Sequence, residues 1–330
     1  MTQRINQSSI FFLACLAVAG TLFLFTSGVG AQVAGNFPSL FTRPANVPQE
    51  FVITPFGYFH PSCVQMVAEG NTLLADGRVA HRNGIIDTAP LCSYPHYTRT
   101  GKLVPTDATK LKEINPLEIS GWLESVSATT TASYGAITAT WVVPPAPPSN
   151  DGQLLYFFPG FEDINNVISI VQPVMQWGVG YAGGGAYWLV SSWNCCINGT
   201  TWYSSLLNVN VGDKIQGTIL PACKPMRADC PTWNVVSADL TTGKKTTLSQ
   251  TPADGQVWNW AFGAVSEDYG VLQCSDFPNN RGLTFTVKLY DQNGKVVTNP
   301  PWQATQWISN PTPKCAYGTK ITPTNESVGY

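Results

Sequence analysis

The stretch Val167-Ile-Ser-Ile-Val-Gln-Pro-Val-Met-Gln-Trp177 is apolar apart from one serine and two uncharged amides, Gln172 and Gln176. Its β-branched residues predict a strand, whose side chains alternate between two faces. Ile168, Ile170, Gln172, Val174 and Gln176 then share one face, and Val167, Val171, Met175 and Trp177 share the other. An amide among aliphatic side chains must find a hydrogen-bond partner or carry a desolvation cost of about 1–3 kcal/mol. Each glutamine is therefore tied into a core network or held for a substrate.

Other strands flank this one. Tyr134-Gly-Ala-Ile-Thr-Ala-Thr-Trp-Val-Val143 alternates Ile137, Ala139, Trp141 and Val143 against Thr138 and Thr140, and stops at Pro144-Pro145. Leu154–Phe158 is an apolar strand closed by Pro159-Gly160, and a glycine-rich turn from Gly178 to Gly185 leads into Tyr187–Trp193. Trp202–Val209, Val211–Ile219 and Val257–Val265 follow the same style, and Leu283–Tyr290 is the last clear strand. Trp233–Leu240, the Thr241-Thr-Gly243 turn and Lys244–Leu248 make a hairpin. Short strands at this spacing, without helical periodicity, predict an all-β, two-sheet antiparallel sandwich.

Composition agrees with strands joined by turns: 29 Gly, 25 Pro and 11 Trp in 330 residues. Charged residues make up 12% and the net charge is −2, so the basic footprint of a nucleic-acid binder is missing. Residues 1–31 read as an export signal: Arg4, an apolar run from Ile10 to Phe25, then Val29-Gly-Ala31 before Gln32. Export to an extracellular or periplasmic space is expected, with no membrane attachment after cleavage. Removing the signal takes Cys15 and leaves eight cysteines, an even number that predicts disulfides, with Cys63–Cys92 and Cys223–Cys230 as the local pairs. Asn198 and Asn325 open glycosylation acceptor motifs. Residues 32–115 are proline-punctuated and irregular, and read as a propeptide or an accessory arm. The sandwich is expected over 116–295, with a C-terminal extension over 296–330.

All three histidines, His60, His81 and His96, precede the strand-rich region, which therefore lacks an internal Ser-His-Asp or Cys-His set. An exported chain with paired cysteines disfavours a zinc site, and no phosphate-cradling glycine loop precedes a helix, so neither metal nor cofactor is expected. Carboxylates remain. Glu118, Glu124, Glu162 and Glu267 are the glutamates of the sandwich region as far as Tyr290. One carboxylate can act as general base on water while a neighbouring amide donates to the developing oxyanion. That chemistry needs one carboxylate and one neutral donor on neighbouring strands of one face.

These segments resemble the glutamic peptidases, or eqolisins. Gly121-Trp122 with Tyr134–Pro144 resembles the family's opening Trp and its strand ending in Trp-x-Val-Pro. Phe158-Pro-Gly-Phe-Glu162 is similar to Trp-Val-Gly-Ile-Asp, and Ile170-Val-Gln172 to the Ile-Leu-Gln that carries the catalytic glutamine. Val211-Gly-Asp213 and Asp239-Leu-Thr-Thr-Gly243 match turn motifs, and Val265-Ser-Glu-Asp-Tyr269 with Ser275-Asp-Phe277 resembles Ile-Val-Glu-Asp-Phe followed by Ala-Asp-Phe. Leu283-Thr-Phe-Thr286 resembles the closing strand.

The resemblance implies a concanavalin-like sandwich and a monomeric acid endopeptidase acting on polypeptides without metal. Carried over residue by residue, it implies Glu267 as general base, Gln172 as oxyanion donor, Trp193 as a substrate wall and Glu162 in the polar network of the cleft. The family's Ala-Glu-Trp stands here as Phe262-Gly-Ala264, so one of the family's two glutamates is missing, and its Trp-Tyr-Glu-Trp wall stands as Val190-Ser-Ser-Trp193, so a different specificity is implied. Two other readings remain open: a non-catalytic sandwich binding glycan or peptide through exposed Trp188, Trp193 and Trp202, and a disulfide-bonded structural protein of the cell surface.

Overall fold

The computed structural model describes residues 43–88, 92–105, 122–167, 169–197, 199–224 and 227–330. The expected export signal at 1–31, Ile168 and the expected glycosylation acceptor Asn198 lie outside the described residues. Helix among the described residues is confined to two 3-10 turns, Pro61–Cys63 and Cys274–Asp276.

Two large sheets form the sandwich. One runs, in spatial order, Thr319–Ile321, Asn325–Gly329, Gly282–Asp291, Tyr134–Val142, Lys214–Pro221, Thr232–Asp239, Lys245–Pro252, Thr72–Leu73, Arg78–Ala80 and Ile86–Thr88. The other runs Gln303–Gln306, Glu124–Thr129, Trp260–Tyr269, Leu154–Glu162, Ile170–Gly180, Gly183–Ile197, Thr200–Ser204 and Val64–Val67, with Leu207–Asn208 also paired to Gly183–Ile197. Pairing is antiparallel except where the N-terminal segment joins: Val64–Val67 lies parallel to Thr200–Ser204, and Thr72 meets Ser249 in parallel.

The first sheet keeps the alternation expected of it. Ile137, Ala139 and Trp141 point inward and are buried, while Thr138 and Thr140 are half-exposed on the outer face. The second sheet loses alternation altogether: every residue of Leu154–Glu162 and Trp260–Tyr269 is buried, as is all of Ile170–Gly180 except Val179. Strands apolar on both faces need a layer on each side. Trp141, Phe157, Val171, Met175 and Trp188 fill the space between the sheets. The opposite face is covered by residues 47–104, where Phe51, Phe56, Tyr58, Phe59 and Val104 join Tyr156, Phe158, Val174, Trp193 and Tyr269 in a second core.

The N-terminal region is therefore more ordered than its proline-rich text predicts. Val52–Thr54, Gly57–Phe59, His96–Tyr97 and Leu103–Val104 form a small antiparallel sheet of their own. Its strands span two or three residues each, too short to show periodicity in sequence. The C-terminal residues likewise extend each large sheet, Gln303–Gln306 as the edge strand of one and Asn325–Gly329 with the edge strand Thr319–Ile321 on the other. All eight expected cysteines pair: Cys63–Cys92, Cys195–Cys196, Cys223–Cys230 and Cys274–Cys315.

Candidate active site on the covered face

The outer face of the second sheet carries Glu162, Gln172, Gln176, Trp193 and Glu267, all buried. The hydrogen-bond register sets their spacing. Gln172 pairs directly with Trp193 on one side. On the other side Phe161 pairs with Val171 and Phe157 with Met175, which puts Gly160 opposite Gln172, and Gly160 in turn pairs with Phe262. Glu162 pairs with Ile170, one diagonal step from Gln172. Gln172, Trp193 and Glu162 are thus brought together.

Gln172 donates from Nε2 to the main-chain carbonyl of Pro55 at 3.0 Å, so this buried amide already holds a peptide carbonyl, supplied by the covering segment. Trp193 donates from Nε1 to Ser191 Oγ at 2.7 Å and stacks on Tyr203 with ring centroids 4.8 Å apart. Neither carboxyl oxygen of Glu162 has a hydrogen-bond partner, and burial raises its pKa well above the usual carboxylate range. Trp188, Trp193 and Trp202 are 1%, 1% and 3% exposed, which removes the exposed aromatic surface that a Trp-lined binding sandwich requires.

Glu267 lies farther along the same face. Tyr156 pairs with Glu267 on one side and with Gln176 on the other, so these two side chains flank one tyrosine across the central strand. Their backbones are about 9.6 Å apart at the usual strand spacing. Gln172 and Glu267 do not meet: four residues along the sheet and two strands across put them about 16 Å apart. The residue in register with Gln172 on the Glu267 strand is apolar Phe262.

Glu267 Oε1 accepts a hydrogen bond from the Tyr269 hydroxyl at 2.5 Å, while Oε2 has no partner. Burial pushes its pKa up to about 8, partly offset by the Tyr269 hydroxyl and the Arg99 guanidinium, with Asp268 adding to the rise. Gln176 Nε2 donates to the carbonyls of Gly178 and Gly183 at 3.0 and 2.9 Å, leaving Oε1 without a partner. The hairpin that receives it depends on glycine: at Gly184, φ +115°, a Cβ would lie 2.6 Å from Gln176 Nε2 and 2.3 Å from the Gly178 carbonyl oxygen. Arg99 and Tyr58 reach this end from the covering segment. Arg99 pairs with Asp268, and the Tyr58 ring meets the Tyr269 ring edge-on at 5.6 Å.

Sequence reasoning placed both glutamines on one strand face, and the family resemblance chose Gln172 to act with Glu267; the register sets Gln176, not Gln172, across Tyr156 from it. That pairing is made by the register of a third strand, Leu154–Glu162, which carries no polar marker at position 156 beyond a tyrosine hydroxyl. Arg99 and Tyr58 gave no signal because their partners lie about 170 and 210 positions away. Among the described residues, no group of three or more His, Cys, Asp or Glu side chains is placed to hold a metal ion.

No protein-family model and no curated protein matches the chain in sequence. Among solved structures it is similar to scytalido-glutamic peptidase with a transition state analog inhibitor, at 16% identity and TM-score 0.47, covering 63% of this chain and 98% of that one. It is similar to SCP-B, a member of the eqolisin family in complex with the tripeptide Ala-Ile-His, at 16% identity and TM-score 0.44 over the same shares. Aspergilloglutamic peptidase from Aspergillus niger is similar at 15% identity and TM-score 0.35, covering 54% of this chain and 98% of that one.

Proposed function

We propose that this chain is an exported acid endopeptidase in latent form, with Glu267 as general base and Gln176 as its amide partner on the outer face of the second sheet. The observation that carries this reading is the register Gln176–Tyr156–Glu267, in which each flanking side chain keeps one oxygen without a partner. A water between them donates one hydrogen bond to Gln176 Oε1 and loses its other proton to the Glu267 carboxylate as its oxygen attacks a peptide carbonyl. Glu267 then returns that proton to the amide nitrogen as the C–N bond breaks, giving a free carboxyl and a free amine. Gln172, Trp193 and Glu162 bind the polypeptide substrate farther along, with the Gln172 amide holding a carbonyl as it holds that of Pro55.

Latency has a steric and an electrostatic part. The segment 43–105 occupies the face, and its burial of Glu267 keeps that carboxyl protonated up to about pH 8, where it cannot accept a proton. Uncovering the face rehydrates Glu267 and lowers its pKa into the acid range. The occupied Gln172 amide also supports a second reading, a sandwich that binds extended peptide without cleaving it.

The test is digestion of an unfolded protein at about pH 4, near the ordinary carboxylate pKa, by the full chain after limited proteolysis of the segment. Glu267→Gln and Gln176→Ala are expected to lose turnover. A Gln176→Ala protein that cleaves as fast as the parent removes Gln176 from the site. A folded parent that binds the unfolded protein without cleaving it favours the second reading.

A further inference from the structure

Tyr269 touches both the Glu267 carboxyl and the covering segment. Its hydroxyl donates to Glu267 Oε1 at 2.5 Å. Its ring is met edge-on by Tyr58 at 5.6 Å and by Tyr156 at 6.3 Å, and the Arg99 guanidinium lies 5.7 Å from its centroid. Tyr58 and Arg99 belong to the segment, and Tyr156 to the central strand. The family motif similar to Val265-Ser-Glu-Asp-Tyr269 ends in phenylalanine, which has no hydroxyl to offer.

We propose that Tyr269 is a positioning residue: its hydroxyl orients the Glu267 carboxyl and favours the carboxylate form, and its ring couples that carboxyl to the N-terminal segment. The inference rests on the assignment of Glu267 as the base. A carboxylate accepts the phenol O–H more strongly than a neutral carboxyl does, so the bond favours ionisation. Charged and titratable groups facing Glu267 are Arg99 and Tyr58 from the segment, Tyr156 from the adjacent strand, and Asp268 and Tyr269 from its own strand. Of these Arg99 also favours the carboxylate and Asp268 opposes it. Glu124, on the neighbouring strand, accepts instead from the Gly318 and Gly329 amides. Among the described residues Tyr269 makes the direct side-chain hydrogen bond to Glu267, at Oε1, and Oε2 is left without a partner.

The experiment is carbon NMR on the full chain labelled at glutamate Cδ and tyrosine Cζ, with Glu267→Gln used to assign the resonance. In Tyr269→Phe, which keeps the ring and its packing, the Glu267 titration midpoint should rise by about half a pH unit or more, a roughly threefold change in proton affinity. Tyr134→Phe, remote from the site, should leave it in place. In the parent, the Tyr269 Cζ resonance should titrate with the same midpoint as Glu267 Cδ. An unchanged midpoint in folded Tyr269→Phe, or a Tyr269 Cζ that ignores the Glu267 titration in the parent, overturns the inference. The second measurement is read on the parent, so a folding failure of Tyr269→Phe does not rescue the inference. Neither readout uses turnover: a chain that shows both shifts and cleaves nothing keeps Tyr269 in place and discards the peptidase reading.

Discussion

Arg99 donates from Nε to the main-chain carbonyl of Asp268 at 2.6 Å, and its Nη2 lies 3.1 Å from the Asp268 carboxylate, one residue from Glu267. Both side chains are mostly buried, at 19% and 7% exposure, so a residue of the N-terminal segment is bound ionically into the face it covers. Together with the Gln172–Pro55 hydrogen bond, this contact anchors the segment at two points on one sheet, one at Gln172 and one beside Glu267.

Arg99→Ala should therefore loosen the segment. Removing one partner of a buried ion pair leaves the other charge without compensation, which typically costs about 3–5 kcal/mol. Urea unfolding should show that loss, and limited proteolysis should cut the segment faster than in the parent. Arg99 also favours the Glu267 carboxylate, so while the segment stays docked the Glu267 midpoint should rise in the same variant.

The two glutamines should separate in kinetics once the face is uncovered. Gln176→Ala is expected to lower kcat by about a hundredfold or more, the usual scale for removing a group that acts at the reacting centre. Gln172→Ala removes a substrate-holding amide and should act chiefly on KM, with kcat changed by less than about tenfold. Steady-state assays on one peptide substrate would decide between them; the reverse pattern restores Gln172 as the partner of Glu267.

Stability should fall as pH rises from acid to mildly alkaline. Burial pushes Glu267 and Glu326 up to about 8 and Glu124 up to about 7, against 4.5 for the ordinary group. The folded chain therefore holds these protons more tightly than the unfolded chain. Their contribution is complete below about pH 4.5 and is lost as pH climbs toward 8. His96 works from the other side: buried and stacked on Phe59 at 4.5 Å, it is lowered to about 3 from 6.5, so its contribution is lost as pH falls through that window. Calorimetry should find a higher Tm at about pH 5 than at pH 8, and Glu326→Gln should flatten that difference.

The C-terminal strands should depend on Cys274–Cys315. That bridge closes a loop of sequence separation 41, which in the chain-entropy description is worth about 4 kcal/mol. Replacing both cysteines by serine should lower the denaturation midpoint accordingly. Hydrogen exchange should speed up first in Thr319–Ile321 and Asn325–Gly329, the edge strand and its neighbour that the bridge retains.

The sequence by itself determined the main strands of the sandwich between Tyr134 and Tyr290 and the face on which the amides lie. These follow from local alternation, as in Ile137-Thr-Ala-Thr-Trp141, and from turn residues such as Thr241-Thr-Gly243, which act over a few positions and leave their mark there. The even cysteine count and the two short-range pairs were legible for the same reason, because proximity in sequence limits the partners of Cys223 and Cys63. Even the doubly apolar Leu154–Phe158 run carried a signal for a third layer, since a strand without alternation must be covered on both faces. What covers it, and which glutamine faces Glu267, only the tertiary structure decided. Register is fixed by bulges at Phe158/Gly160 and Phe262/Ala264, and one such step moves a side chain along its neighbour by a residue. Two glutamines four positions apart look identical to any rule of period two. Only the hydrogen bonds of the strand between them and Glu267 tell them apart.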